Sequence, residues 1–419
     1  PTPSFAIGMP KDPAEYPAIT PTLFECADGQ WIHVMGSNLD SSPLMEKTLA
    51  EIGAEGVAAA NAGGPSGNPN YRNFGANQAA FKRYDRETWL TDLWANDVAV
   101  QPCVPMGVIF DDEQANTNGY VVDVEDPQWG TVRQAGIPFT TTPPSTFITP
   151  QPQPGAHTAD VLGAPRQPRP TPSAGANPRW PLEGLKVLDF GAYLAGPIAP
   201  MMMADLGADV IKVEHPAGDF MRFVERTFAG CQRGKRDLAV DLKRPSARPV
   251  LERLVAGADV VHHNLRMPAA RKLGLDYESL RAINPNIVYC HVSSYGPAGP
   301  RADWPGFDQL FQAASGWEWE GAGHGNRPMW HRFGMMDHQG GMASLVATLL
   351  GLYWRERTGV GQFVAASLLG ASILTTSETM KLADGTLAPY DHLDAAQMGV
   401  APGRRIMPVA DGWVAIDAT

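Results

Sequence analysis

The chain has 419 residues, with 33 basic against 44 acidic side chains and a formal net charge of −11. That length buries a sizeable core and points to two or three domains, while the acidic balance excludes a general role in coating nucleic acid or anionic membranes. Four cysteines, Cys26, Cys103, Cys231 and Cys290, show no C-x-x-C spacing, which argues against a zinc ribbon and suits free thiols in a reducing cytoplasm.

The opening residues, Pro1-Thr2-Pro3-Ser4, have neither the basic start nor the apolar core of a secretory signal, so no export is expected from them. Ile32 to Met35 and Gly119 to Val124 read as strands, and Ser42 to Ile52 and Arg86 to Trp94 as helices. We therefore expect a small α+β unit over residues 1–140. From Thr140 to Trp180 the chain is crowded with proline, including Pro143, Pro144, Pro150, Pro152, Pro154, Pro165, Pro168, Pro170 and Pro172. Proline removes backbone donors, so residues 141–180 suit an extended linker.

After the linker, short β-branched runs alternate with helical stretches. Leu185 to Phe190 reads as a strand, Pro197 to Leu206 as a helix opened by proline, and Asp209 to Val213 as a second strand. A helix over Ala247 to Val255, a strand at Asp259 to His263, a helix over Tyr277 to Ile283 and a strand at Asn286 to Val292 continue the series. Such alternation predicts a doubly wound α/β domain with a parallel sheet, spanning 181–378, with ligands at the carboxyl ends of its strands. The apolar run around Ala343 to Trp354 is too short to span a bilayer and reads as a buried helix.

A repeat joins the two ends: Ala27-Asp28-Gly29-Gln30-Trp31-Ile32-His33-Val34 resembles Ala410-Asp411-Gly412-Trp413-Val414-Ala415-Ile416. Both read as a turn opening a strand, so residues 379–419 are expected to be a linker and the start of another small domain.

Several segments could carry chemistry. Leu194-Ala195-Gly196-Pro197 opens a helix after a strand, so its free N–H groups could receive a phosphate, although a plain tight turn fits equally. Gln232-Arg233-Gly234-Lys235-Arg236 and Arg271-Lys272 are basic clusters that suit a nucleotide-like cofactor or simply solvated surface. Gly321-Ala322-Gly323-His324-Gly325 reads as a mobile loop. His324, His331 and His338 recur every seven residues, but Pro328 and Gly334 interrupt any helix that would align them on a metal. Trp317, Trp319, Met329 and Trp330 fit either a bulky acyl surface or an interface stripe. Asp337 stands near the N-terminus of the long apolar helix; there it is an N-cap, and the same donors would keep its carboxylate ionised and able to attack an activated carbonyl.

From Leu182 to about Ser377 the chain resembles the family III CoA-transferases, whose relatives include the α-methylacyl-CoA racemases. The blocks that carry the resemblance include Gly184 to Asp189, Leu194 to Pro197, Asp205 to Glu214, Arg233 to Arg236, Asp241 to Lys243, Ala258 to Val260, Lys272 to Leu275, Asn284-Pro285, Ser294 to Pro297 and Thr358 to Gln362. The resemblance implies that coenzyme A lies over the α/β domain, with Leu194 and Ala195 in the loop after its first strand. Lys235 and Arg236 would lie near the nucleotide end, and Asn264 and Lys272 along the cofactor path.

It further implies that Asp337 is the catalytic aspartate, attacking an acyl-CoA to give a mixed anhydride and then an aspartyl-CoA thioester, with no metal needed. A free carboxylic acid would be the acceptor. Where the racemases carry Gly-His-Asp, this chain has Gly306-Phe307-Asp308, and phenylalanine cannot move a proton. A racemase-like enzyme and a non-catalytic CoA-binding half stay as alternatives. The N-terminal part resembles the second half of the same family, so the order is inverted. A head-to-tail tandem fusion, with a homodimer or a pairing of the two halves, accounts for the order, and a circular permutation is the other explanation.

Overall fold

The structure is a computed structural model and describes residues 22–35, 38–54, 74–144, 148–164, 179–223, 225–331 and 333–418. The opening tetrapeptide and Pro165, Pro168, Pro170 and Pro172 lie outside these residues.

Among the described residues sixteen strands are numbered in chain order. Three antiparallel strands, β1 (Leu23–Glu25), β2 (Trp31–Val34) and β3 (Val100–Cys103), form the first sheet. Helices Pro43–Glu51, Phe74–Phe81 and Arg86–Ala95 cover it, burying Phe24, Ile32, Met45, Phe81 and Trp89 together. Both outer helices start where the sequence supplies a cap: Ser42 and Asp85 accept the amides of Met45 and Thr88. β4 (Val121–Asp126) and β5 (Gly130–Ala135) make a hairpin, and β6 (Phe139–Thr140) follows.

The central sheet contains β6, β7 (Lys186–Asp189), β8 (Asp209–Glu214), β9 (Arg236–Ala239), β10 (Val260–His263), β11 (Val288–Ser293) and β12 (Phe363–Ser367). Its order is β6-β12-β11-β10-β7-β8-β9, all parallel except β6 on the edge. Read from β9 this is the doubly wound order, which reverses direction between β7 and β10 and opens a crevice at their carboxyl ends. β10 and β11 are buried along their whole length, as a sheet covered on both faces requires. The expected alternation of strands and helices is therefore present, with bounds shifted by a residue or two.

β6 joins the central sheet although it lies within residues 1–140, and β13 (Lys381–Leu382) pairs back onto β5. The two units thus interlace. Ile109, Phe110, Tyr120 and Val121 share one core with Val292, Tyr295, Phe311 and Leu369. Gln101 Nε2 donates to Tyr295 Oη at 2.6 Å, and Arg301 pairs with Asp112. β14 (Gly399–Ala401), β15 (Arg404–Val409) and β16 (Gly412–Asp417) form a separate antiparallel sheet.

Among the described residues no helix is long and apolar enough to cross a membrane. The four cysteines are unpaired thiols, all buried.

Candidate active site

The loop after β7 is held by polar contacts on every side. Asp189 Oδ1 accepts the Gly191 amide at 2.7 Å, Lys212 Nζ donates to the Gly191 carbonyl at 2.9 Å, and the Asn264 amide clamps Ala192 through both its N–H and its carbonyl at 2.8 Å. Gly196 lets this clamp close, because a Cβ there would stand 2.6 Å from Asn264 Cγ. Tyr193 takes a left-handed φ of 60°, which a non-glycine residue adopts only where its surroundings fix it, and its ring meets Phe307 edge-on at 5.9 Å. The helix Ala195–Asp205 starts at this rigid turn, with Leu194 as its N-cap.

The long helix Met335–Thr358 crosses from the carboxyl edge of the sheet to its amino edge, where Arg355 pairs with Asp259 at 3.0 Å. Gly341 brings its first turns onto Ala195–Asp205, since a Cβ there would meet Ile198 at 2.8 Å. Asp337 therefore faces the β7 loop: Leu194 Cδ2 and Asp337 Oδ2 lie 2.9 and 3.6 Å from the same point beside Gly334.

Asp337 is not the N-cap expected from the sequence. Gly334 occupies that position and Asp337 lies inside the first turn. The free amides of Met336 and Asp337 donate instead to Asp308 Oδ1, at 2.6 and 3.1 Å, so a neighbouring helix, Asp308–Ala314, supplies the cap. Gln312 Nε2 donates to the other oxygen of Asp308 at 2.5 Å. Burial raises the Asp308 carboxyl to about 6. Asp337 keeps a partial opening to solvent within a crowded wall of protein. That crowding, with the charge of Asp308 beside it, pushes its carboxyl well above the ordinary range. The expected donors that would hold Asp337 ionised are thus spent on Asp308, a residue the sequence reading passed over although Gly306-Phe307-Asp308 stood out for its phenylalanine.

The remaining candidates separate by geometry. Lys235 is buried and directs its ammonium to Asp189 Oδ2, the Pro197 carbonyl and Gln232 Oε1 at 2.7, 2.8 and 2.8 Å, so all three of its donors are spent on shaping the loop. Arg236 is exposed and paired with Asp209 at the sheet edge. Lys272 lines an open groove of about 340 Å³ with Lys243, Arg244, Arg248 and Arg271. Arg244 pairs with Asp241 and Arg248 with Glu252, whereas among the described residues Lys243, Arg271 and Lys272 have no acidic partner within 4 Å. That groove is suited to phosphate oxygens.

Trp319 and Trp330 pack against Leu23, Trp31, Cys103 and Ala313, so they belong to the contact between the two units. The segment expected as a mobile loop begins in a helix, Trp317–Ala322, and is tied onward by the His324 amide to the Leu393 carbonyl at 2.8 Å. The three regularly spaced histidines diverge: His324 meets His392, His331 meets Trp317, and His338 bonds the Gly334 carbonyl. Among the described residues no cluster of three His, Cys, Asp or Glu side chains could hold a metal ion.

The sequence model of CoA-transferase family III matches residues 6–158 and 182–419. Succinate–glutarate CoA-transferase of Agrobacterium fabrum is 36% identical over 255 residues, covering 57% of this chain and 63% of the relative. Succinyl-CoA:glutarate CoA-transferase of Homo sapiens is 34% identical over 215 residues, covering 49% of this chain and 49% of the relative. The crystal structure of a CAIB/BAIF family protein from Brucella suis is 34% identical, with a TM-score of 0.50 over 57% of this chain and 66% of that one. The chain thus spans about half to just under two thirds of the length of these proteins.

Proposed function

The chain belongs to CoA-transferase family III, and from that premise we propose that it moves CoA from an acyl-CoA to a free carboxylic acid, with Asp337 as nucleophile. The observation that carries this reading is the placement of Asp337 beside Leu194, at the carboxyl edge of a doubly wound sheet. An acyl-CoA whose phosphates lie in the groove of Lys243, Arg271 and Lys272, and whose pantetheine passes the Asn264 clamp, brings its thioester toward that edge.

Asp337 attacks the thioester carbonyl carbon; the C–S bond breaks and CoA leaves as thiolate, giving a mixed anhydride. The thiolate attacks the aspartyl carbonyl, releasing the first acid and leaving an aspartyl-CoA thioester. The acceptor carboxylate repeats the two steps in reverse. Each step is an acyl exchange between groups of similar reactivity, so one carboxylate suffices where a direct displacement would need more.

The interlaced units support a tandem arrangement, in which a small domain preceding the α/β domain serves that domain's site. Both copies of the repeated motif are antiparallel hairpins, β1–β2 and β15–β16, and this likeness supports reading them as copies of one unit. The names of the relatives put succinyl-CoA as donor and glutarate as acceptor at the head of the substrate panel.

The test is mass spectrometry of acyl-CoA products after incubation in deuterated water with a panel of donors and free acids. New acyl-CoA species establish transfer. Deuterium at the α-carbon without exchange of acids would replace the reading by a racemase, and CoA binding with neither product by a non-catalytic unit.

A further inference from the structure

The first turn of Met335–Thr358 directs two free amides at one carboxylate, and the recipient is Asp308, not the nucleophile. Asp308 is buried, caps the helix that carries Asp337, and takes a third donor from Gln312. Among the described residues no donor stands within hydrogen-bond distance of the Asp337 carboxyl. We propose that Asp308 is a positioning residue that keeps the resting negative charge of the Asp308–Asp337 pair on itself and holds Asp337 as the neutral acid until its proton has left. The proposal rests on reading Asp337 as the nucleophile.

The physical reason is that two carboxylates sharing a poorly solvated site cannot both ionise cheaply, so the charge settles where donors are concentrated. The groups facing the pair reinforce that choice. Asp308 meets Gln312 on its own helix and feels His33 from β2, whose positive form would favour charge on Asp308. His33 is itself bonded to Glu318. The carbonyls of His331 and Phe333 hold the Gln312 amide in place. On the side of Asp337 stand Leu194 and Gly334, with His338 turned away onto the Gly334 carbonyl. The proton of Asp337 leaves to solvent through its open side. The resulting carboxylate then supplies the electron pair that forms the bond to the thioester carbon, and the C–S pair departs on the CoA sulfur.

The experiment is a pH titration of the whole chain by NMR with aspartate labelled at the carboxyl carbon, the two resonances assigned by Asp308→Asn and Asp337→Asn. We expect the Asp337 carboxyl to titrate well above the ordinary carboxylate range and to fall by at least about one pH unit in Asp308→Asn. Asp308→Ser, whose hydroxyl also accepts a backbone N–H, should produce the same fall if the asparagine variant folds poorly. An Asp337 that titrates in the ordinary range, or that does not move in either variant, overturns the proposal. This readout needs no turnover, so failure of the transferase reading would appear separately, as an absence of new acyl-CoA from the unaltered protein. Where turnover is measured, the acidic limb of kcat/KM should move down with the titration, a gain of about fivefold one pH unit below the original midpoint for a fall of about one unit. A uniform loss at all pH values with the limb in place would make Asp308 a helix cap alone and also overturn it.

Discussion

His33 on β2 and Glu318 on the helix Trp317–Ala322 meet at 2.7 Å, His33 Nδ1 donating to Glu318 Oε1, with both side chains shut off from solvent. Thr22 Oγ1 closes the other side of the ring at 2.7 Å, and Cys103 Sγ donates to the second oxygen of Glu318 at 3.3 Å. The contact joins β2 to the helix Trp317–Ala322, and the charge of His33 is near enough to act on Asp308. Replacing His33 by Ala leaves a buried carboxyl without its main partner and should cost roughly 3–5 kcal/mol. A urea denaturation midpoint measures the loss, and His33→Gln, which can still donate to Glu318, should recover part of it. Equal midpoints for the alanine variant and the unaltered chain would show that the contact contributes nothing.

Asp337→Ala should lower CoA transfer by at least about 10³-fold, because removing a covalent nucleophile removes the pathway while leaving binding groups in place. CoA affinity, read by calorimetry, should stay within about threefold of the unaltered chain. An unchanged rate would remove the catalytic assignment of Asp337.

Lys235 and Lys272 should respond in opposite ways to loss of charge. Lys235→Met strands the buried Asp189 carboxylate that holds the β7 loop, and should cost about 3 kcal/mol of stability. Lys272→Ala should leave the denaturation midpoint unchanged and weaken CoA binding about fivefold to tenfold, with a shallower dependence on salt. Reversed behaviour would show that Lys235, and not the Lys272 groove, meets the cofactor.

Burial lowers His262 and His291 to about 4 from the ordinary 6.5. The sign follows from linkage: as the pH falls below 6.5 the unfolded chain binds protons that the folded chain refuses, so stability is lost between pH 6.5 and about 4. Each histidine contributes a loss of up to roughly 1.4 kcal/mol per pH unit in that window. Asp308, raised to about 6, acts in the opposite sense, so the contribution of one histidine is best read by difference. His262→Gln should flatten the fall in urea midpoint between pH 6.5 and 4, while leaving the plateau above pH 7 nearly level. A slope identical to that of the unaltered chain would rule out this origin.

The strands β7, β8, β10 and β11 and the helices Ala195–Asp205, Arg248–Ala256 and Tyr277–Ile283 are legible because each is a local pattern, whereas Glu225–Gln232 and Met267–Leu273 are absent from the expected elements. Val187-Leu188, Val210-Ile211 and Val260-Val261 announce buried strands, and Tyr277–Ile283 is bounded by its own cap, Asp276. Asp337 could be singled out because it stands at the head of a long apolar helix. Neighbouring residues alone specify these elements and the family resemblance, since periodicity, capping and ordered motifs are local properties. Packing of distant segments gives Asp308 the donors at the head of that helix and buries Lys235 against Asp189. It also joins His33 to Glu318, and Lys243, Arg271 and Lys272 into one groove. Those outcomes depend on which side chains reach a donor first when distant segments pack, a competition over a few ångströms that chain order does not encode.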